Sequence, residues 1–284
     1  MIIVKIWGGV GNQLFQYALY RKLLHQGKDA KVDLSWFNIK KRNQQRTYKL
    51  DLFQTDIREC TRREKKKLAN GTDNRRQRII QKVIGKRKSH VYEKKAYTFD
   101  ASILERDNVY LEGYWQTQLY FADIKEILQK EIIMEHNKSI YFNETLKRIM
   151  VTNSISVHIR RSDYLLKAEK YGNICTKEYY NNALNYMERK IQNPVFYIFT
   201  DDMVWAKDTY KDRKDIVFID GNGKAEENDF ILMSKCKHNI IANSSFSWWA
   251  AWLNGNADKI VIAPDKWINE VDTPDIWCEN WVHI

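Results

Sequence analysis

The chain has 284 residues, of which 44% are hydrophobic, and this is enough for two domains of ordinary size, each with its own core. It contains no run that approaches the roughly 20 consecutive apolar residues of a membrane-spanning helix, and the apolar start Met1–Ile6 is too short for a signal peptide. Its four cysteines form no C-x-x-C pair, which indicates reduced thiols and argues against a structural zinc site. We therefore expect a cytoplasmic protein of two domains.

The net charge of +11 is concentrated in one part of the chain. The stretch from Arg58 to Lys95, called here the basic segment, holds 15 Lys/Arg and 4 Asp/Glu and so accounts for the whole excess. Its few large apolar residues predict a solvated, partly helical or mobile excursion. Three interpretations stand: a solvent-facing insertion, a patch that holds the protein at an anionic inner membrane surface, and a nucleic-acid-binding surface.

The first predicted domain, residues 1–150, opens with a strand, a glycine turn and a helix. Ile2–Ile6 has the composition of a buried strand, Gly8–Asn12 forms the turn, and Gln13–Leu24 has apolar residues at helical spacing. The turn lacks the third glycine of the dinucleotide fingerprint and the lysine and hydroxyl of a P-loop. Its glycines still let a ligand approach the backbone, so an anion site and an empty tight turn are both open. Asn12 and Gln13 are candidate helix caps or partners of sugar hydroxyls.

Further along we predict a strand near Ala30–Leu34, a loop-like aromatic stretch at Tyr110–Gln116, a helix around Tyr120–Ile132 and a domain boundary near Val151. In the second domain, residues 151–284, strands and helices alternate. This alternation predicts a parallel sheet with helices on both faces and a ligand site outside the carboxyl ends of its strands. The predicted strands are Ile155–Ile159, Val195–Thr200, Ile216–Ile219, Asn239–Ala242 and Ile260–Ala263, and the predicted helices are Lys177–Ile191, Asn228–Cys236 and Phe246–Leu253.

Two adjacent arginines, Arg160 and Arg161, follow the first of these strands. The planar guanidinium fork matches phosphate oxygens and keeps its charge near neutral pH, so the pair can neutralise a diphosphate without a metal ion. His158 falls on the same strand face as Arg160. Asp163 is a candidate to orient Arg161 or to act as a base toward an incoming hydroxyl. The structural alternative is two surface arginines paired with a carboxylate.

Two other strand ends carry polar residues. Asp201 and Asp202 are placed to accept hydrogen bonds from a guanine edge or, with a partner, to hold a divalent metal; a turn or helix start is the alternative. The run Asn243–Trp249 opens a helix, where its hydroxyls and first amides form a second anion cradle or a helix cap. Because the arginine pair already offers phosphate neutralisation, we predict a site without a metal.

Together these motifs resemble a bacterial alpha-1,2-fucosyltransferase of glycosyltransferase family 11. They occur in the order of the family and span nearly the whole chain. Ser162 stands where the family usually has glycine, and the basic segment is more extreme than the family leads us to expect. The matching pieces are Gly8–Ala18, Leu111–Gln116, Val157–Tyr164, Phe199–Asp202 and Ile241–Trp249.

The resemblance implies an α/β fold of GT-B type, with two Rossmann-like domains and the donor site mainly in the C-terminal domain. It implies inverting transfer of L-fucose from GDP-β-L-fucose to the 2-hydroxyl of a galactose-type acceptor, with no cofactor and no metal. The N-terminal domain would then be the acceptor side. The acceptor would belong to a surface glycan such as an O-antigen repeat unit at the cytoplasmic face, with the basic segment near the lipid.

The roles expected of single residues follow from this chemistry. Arg160 is the main diphosphate clamp, Arg161 its support or an acceptor-side partner, and His158 and Asp163 complete the catalytic set. The donor-binding residues comprise the phosphate cradle, the candidates for guanine or ribose, and the glycine turn that closes on the donor from the other domain. They are, respectively, Asn243, Ser244, Ser245 and Phe246; Asp201 and Asp202; and Gly9, Gly11, Asn12 and Gln13.

Two rival functions stay open. A fucosyltransferase of another linkage, alpha-1,6 or protein O-linked, would use the same arginine and glycine-turn chemistry. A nucleic-acid-binding protein would explain the net charge of +11, but the excess lies away from the predicted ligand face and lacks a pattern of stacking aromatics. We therefore expect no nucleic-acid partner.

Overall fold

The computed structural model describes residues 1–38, 46–70, 85, 87–133, 139–220 and 226–284. The chain divides into two compact units, Met1–Ile133 with Pro274–Ile276, and Met134–Thr273 with Trp277–Ile284. The predicted boundary near Val151 is therefore too late. It falls at the end of the helix Ile140–Val151, which packs against the helix Glu226–Lys235 of the second unit.

The first unit contains a four-stranded parallel sheet in the order β2-β1-β4-β3. Its strands are β1 (Ile2–Lys5), β2 (Ala30–Asp33), β3 (His90–Tyr92) and β4 (Val109–Glu112). Its described α-helices are Val10–His25, Arg62–Leu68, Ser102–Glu105 and Lys125–Glu131. Short 3₁₀ turns are formed by Ser35–Asn38, Leu50–Leu52, Gln118–Tyr120 and Ala122–Ile124.

Three predictions for this unit need correction. The stretch at Tyr110 is not a loop at its start, because Val109–Glu112 is a central strand whose apolar residues are buried on both sides. The first helix begins at Val10 and not at Gln13, so the last glycine of the turn lies inside it. For the basic segment, the helix Arg62–Leu68 confirms the partly helical prediction, but the segment also contributes edge strand β3, which was not predicted; residues 71–84 and 86 lie outside the described chain.

The second unit contains a six-stranded parallel sheet in the order β10-β9-β8-β5-β6-β7. Its strands are β5 (Asn153–Ile159), β6 (Pro194–Thr200), β7 (Ile216–Phe218), β8 (His238–Ile240), β9 (Val261–Ala263) and β10 (Val282–His283). Its described α-helices are Ile140–Val151, Ser162–Leu165, Ala168–Tyr171, Lys177–Lys190, Met203–Thr209, Glu226–Lys235 and Ser245–Leu253.

All strands and helices predicted for this unit are present, with ends displaced by a few residues at most. Thr176 caps the helix Lys177–Lys190, accepting a hydrogen bond from the Tyr179 amide as predicted. The core beneath the sheet is built from apolar residues of β5 and β6 packed on that helix. The predicted α/β class, with two Rossmann-like parallel-sheet domains, is confirmed. None of the described helices has the length and apolar character needed to cross a bilayer.

Candidate active site

The second unit changes the direction of its strand order between β5 and β8. From β5 the chain adds β6 and β7 on one side, and it then returns to add β8, β9 and β10 on the other. In open parallel sheets the crevice at such a switch point, outside the carboxyl ends of the strands, is where ligands bind. The two arginines follow β5, and Asn243–Ser247 follows β8, so sheet topology brings both predicted motifs to this one place.

Each arginine of the pair is held by one aspartate from the neighbouring strand. Strands β5 and β6 run parallel with Ile159 opposite Thr200, which sets the residues after them side by side. The Nε atom of Arg160 lies 3.1 Å from an oxygen of Asp201, and the Nε atom of Arg161 lies 3.0 Å from an oxygen of Asp202. Both arginine side chains stay about a quarter exposed, at 23% and 24%. The geometry therefore fixes two cations at the switch point while leaving part of each accessible.

Asp201 and Asp202 were predicted to accept hydrogen bonds from a guanine edge, but both also accept hydrogen bonds from groups of the protein itself. Besides its ion pair, Asp201 accepts hydrogen bonds from the Arg161 and Ser162 amides, at 2.8 and 3.3 Å. Asp202 caps the helix Met203–Thr209 by accepting from the Trp205 amide at 3.1 Å. These contacts fit carboxylates that position the arginine loop.

Aromatic rings also support the arginines. The guanidinium carbon of Arg161 lies 4.1 Å from the centre of the Trp205 ring, and that of Arg160 lies 6.0 Å from the Tyr164 ring. The Tyr164 hydroxyl donates to the Asn243 carbonyl at 2.9 Å, which ties the loop after β5 to the loop after β8. Sequence analysis did not identify Trp205 as a site residue. Its position three residues after Asp202, the cap of the helix, could have indicated it.

The side chain of Asp163, which was predicted to orient Arg161, lies outside the described side chains, so that role stays a prediction. The described partner of Arg161 is Asp202, which sequence analysis did not pair with it. The reason is sheet adjacency: the neighbouring parallel strand ends beside Arg161, and sequence proximity alone does not show this. Ser162, at the position where glycine was expected, donates its hydroxyl to the Asp201 carbonyl at 2.9 Å and starts a short helix. A role for Asp163 as a base stays a prediction.

His158 is buried beneath the pair, with 5% of its surface exposed. Its Nδ1 atom lies 2.8 Å from the Ser247 hydroxyl, and Tyr180 donates to its carbonyl at 3.0 Å. Burial, and then the nearby positive charge of Arg160, lower the pKa of His158 to about 3. The ring is therefore neutral at physiological pH and links β5 to the helix Ser245–Leu253. This arrangement fits a positioning residue better than the predicted catalytic role.

The phosphate cradle after β8 divides into buried and accessible residues. Asn243 is 2% exposed and donates to the Trp267 carbonyl at 3.0 Å, so its side chain is committed to the fold. Ser244 caps the helix Ser245–Leu253 through the Phe246 amide, and Ser244, Ser245 and Phe246 are each partly exposed. The accessible part of the cradle is thus the helix start itself, whose amides and partial positive charge favour an anion.

The glycine turn of the first unit also lies at a switch point, between β1 and β4. Gly8 has φ +87°, and a Cβ atom there would lie 2.9 Å from the Asn12 amide nitrogen, so this position requires glycine. Gly9 precedes the helix Val10–His25 without a side-chain cap. A Cβ on Gly9 would lie 3.4 Å from the Arg46 guanidinium, a cation at the turn that sequence analysis missed because no periodic pattern marks it.

Gln13 was predicted to be a helix cap or to bind the donor; the cap prediction is wrong, and donor binding stays a prediction. Gly9 occupies the cap position, and Gln13 is fully buried inside the helix. Its amide nitrogen donates to the carbonyls of Gly8 and Thr47, both at 2.9 Å, and its oxygen accepts from the Lys49 amide at 3.0 Å. Its hydrogen-bonding capacity is used in bracing the turn.

The neighbouring polar residues of the turn are also braced. Asn12 accepts a hydrogen bond from the Gln116 side chain at 2.8 Å. Buried Gln16, which the site prediction did not include, donates to the Gly113 carbonyl at 3.1 Å and accepts from the Trp7 amide at 2.8 Å. The loops after β1 and β4 are therefore joined by side-chain amides, and the turn is a rigid element of the first unit.

A family model and two bacterial relatives match this chain over all or nearly all of its length. A family model described as Glycosyl transferase family 11 matches residues 1–284. An Alpha-1,2-colitosyltransferase of Escherichia coli is 34% identical over 299 residues, covering 100% of this chain and 99% of that protein. The O-antigen biosynthesis glycosyltransferase WbnK of Escherichia coli is 30% identical, covering 98% of each. A Galactoside alpha-(1,2)-fucosyltransferase 1 of Saimiri boliviensis boliviensis is 25% identical over 61% of this chain and 52% of that protein.

Likeness to solved structures is weaker. The crystal structure of fucosyltransferase NodZ from Bradyrhizobium covers 88% of this chain and 91% of its own, with a TM-score of 0.48 and 12% sequence identity. A likeness at this level carries no argument about substrate or mechanism.

Proposed function

Because this chain belongs to glycosyltransferase family 11, we propose that it transfers L-fucose from GDP-β-L-fucose to the 2-hydroxyl of a galactose-type acceptor, with inversion at the anomeric carbon. The names of two relatives, an alpha-1,2-colitosyltransferase and a galactoside alpha-(1,2)-fucosyltransferase, support the alpha-1,2 linkage. The observation that carries the proposal is the pair of arginines, each held by its own aspartate, at the switch point of the second unit.

The paired arginines suit the chemistry of this transfer. As the bond between the sugar C1 atom and the phosphate oxygen breaks, the sugar gains positive character and the GDP diphosphate gains negative charge. Donors fixed beforehand at the diphosphate stabilise the transition state more than the ground state. We assign Arg160 as the main clamp, Arg161 as its support, and the start of the helix Ser245–Leu253 as a further phosphate partner.

The proposed reaction needs no divalent metal. Asp201 and Asp202, the carboxylates at the switch point that were considered as ligands, are paired with the two arginines. The positive charge that a metal ion would bring to a diphosphate is thus provided by the two arginines. We expect activity to persist in the presence of a chelator.

The second unit is proposed to hold the donor, and the first unit to serve the acceptor. We propose an O-antigen or similar surface glycan as the acceptor, supported by the name of the 30% identical relative WbnK. A second candidate donor is GDP-colitose, whose sugar is L-fucose without its 3-hydroxyl. The 34% identical colitosyltransferase favours it, so the two donors are compared directly in the test.

The test is a donor and acceptor screen with the purified protein. GDP-fucose, GDP-colitose and GDP-mannose are offered with β-galactosides, with and without EDTA, and the product linkage is read by NMR. We expect an alpha-1,2-linked fucosyl product at an unchanged rate in EDTA. If transfer occurs from GDP-colitose alone, GDP-fucose is not the donor. If the product is alpha-1,6-linked, the proposed alpha-1,2 linkage is wrong. Strict dependence on added manganese would restore the two aspartates as metal ligands.

A further inference from the structure

A group of five basic side chains on the first unit lies outside the proposed transfer site. They line one shallow groove, and all five are exposed; we call them the basic face. Four come from the helix Arg62–Leu68. The fifth, Arg87, lies beside this helix, since its guanidinium donates to the Lys67 carbonyl at 3.3 Å. The members are Arg62, Arg63, Lys66, Lys67 and Arg87.

The helix that carries the basic face is fixed in its orientation. Thr61 and Glu64 form a reciprocal capping box at its start. Leu68 and Lys65 are buried on its inner side, and the Lys65 ammonium lies 2.9 Å from an oxygen of Asp33, itself 2% exposed. The arginines and lysines of the outer side therefore point away from the sheet as a set.

Two acidic groups that contact this helix, Glu64 and Asp33, are already paired. Glu64, the acid within the helix, lies 2.5 Å from the Lys31 ammonium; this hydrogen bond, then that from the Thr61 amide, lower the Glu64 pKa to about 2. Burial would raise the pKa of Asp33, but the charge and hydrogen bond of Lys65 outweigh it and lower it. These carboxylates compensate Lys31 and Lys65, which are not members of the face.

We propose that the basic face docks the protein on an anionic lipid surface. The inference is independent of the transfer reaction and of the donor. A broad, exposed array of like charges matches the diffuse negative charge of phospholipid headgroups. A single-stranded nucleic acid would instead call for aromatic rings on which bases stack, and the lining residues of the groove in the described part of the chain are arginines and lysines. The segment that contains the face also holds the whole net charge of the chain.

Vesicle binding by the complete protein tests the proposal. We expect cosedimentation with vesicles of phosphatidylglycerol and phosphatidylcholine, little with phosphatidylcholine alone, and release as salt is raised. Each Lys or Arg near such a surface contributes about fivefold to partitioning, so R63Q/K66Q/K67Q is expected to lower it about a hundredfold.

A matched triple variant controls for total charge. K177Q/K211Q/K214Q removes the same charge from three exposed lysines of the second unit and is expected to leave partitioning nearly unchanged. Equal losses in the two variants, or no binding of the wild-type protein to phosphatidylglycerol vesicles, would overturn the proposal. So would tight binding to a DNA or RNA duplex, at the same salt, by a protein that ignores the vesicles. Thermal unfolding of both variants checks that each remains folded.

Discussion

At the scale of single residues, the candidate site depends on how the two arginines are held. Each has a carboxylate at its Nε atom and an aromatic ring near its guanidinium carbon. A cation restrained in this way needs little rearrangement when negative charge develops on a leaving group, and this preorganisation is what makes electrostatic catalysis effective. Asp201 and Asp202 are therefore as important to the account as the arginines.

His158 provides a pH-dependent test of the same region. Its pKa is lowered to about 3 in the folded protein, so the unfolded chain binds the extra proton between about pH 6.5 and 3. Its contribution to stability is complete above pH 6.5 and is lost as the pH falls below that value. Over pH 4 to 6 the stability of the wild type should fall about 1.4 kcal/mol per pH unit more steeply than that of His158→Gln. Urea unfolding at several pH values measures this, and equal slopes would contradict the burial of a neutral ring.

Substitution of Gln13 tests whether this residue of the glycine turn has a structural role or binds a ligand. Removing its amide in Gln13→Ala removes three hydrogen bonds, to two carbonyls and from one amide of the neighbouring loops. We expect a loss of about 2 kcal/mol or more in the free energy of unfolding. The exposed Gln54→Ala is the matched control and should change it by less than about 0.5 kcal/mol. An unchanged unfolding free energy for Gln13→Ala would favour a direct contact with ligand.

At the scale of elements, the helix Ser245–Leu253 combines a structural and a proposed functional terminus. Ser244 caps it, as Thr176 caps the helix Lys177–Lys190 in the same unit. We expect Ser244→Ala and Thr176→Ala each to lower the unfolding free energy by about 1 kcal/mol. Only Ser244→Ala should weaken GDP binding, by about tenfold, because the proposal places the diphosphate at the start of the helix Ser245–Leu253. Calorimetric titration with GDP compares them, and equal GDP affinities would remove the cradle from the site.

At the scale of the whole molecule, each unit taken by itself follows the same plan. A parallel sheet places its candidate loop where the strand order reverses: after β1 in the first unit, and after β5 and β8 in the second. The loop after β1 is glycine-rich and has no charged residue of its own, whereas the loop after β5 carries the two arginines. The net positive charge lies elsewhere, on the basic segment, so charge and proposed chemistry are separate features of this protein.

The sequence predicted the second unit well because its strands and helices alternate and carry clear apolar patterns. It predicted the first unit less well: β3 and β4 are short, and β3 lies in a segment whose charge indicated a solvated excursion. The motif residues were found, but several partners were not. The pairing of Asp202 with Arg161 depends on which strands are neighbours, and the burial of Gln13 and His158 depends on packing, and neither is encoded in local spacing.

The most direct test of the central claim is the rate of transfer by Arg160→Ala. With GDP-fucose and a galactoside acceptor, we expect kcat to fall about 100- to 1,000-fold while thermal unfolding shows an intact fold. Arg213→Ala is the control, since Arg213 of the same unit is also ion-paired, to Glu188 and Asp215, and is proposed to have no contact with substrate. Near wild-type turnover by folded Arg160→Ala would contradict the assignment of the arginine pair as the diphosphate site.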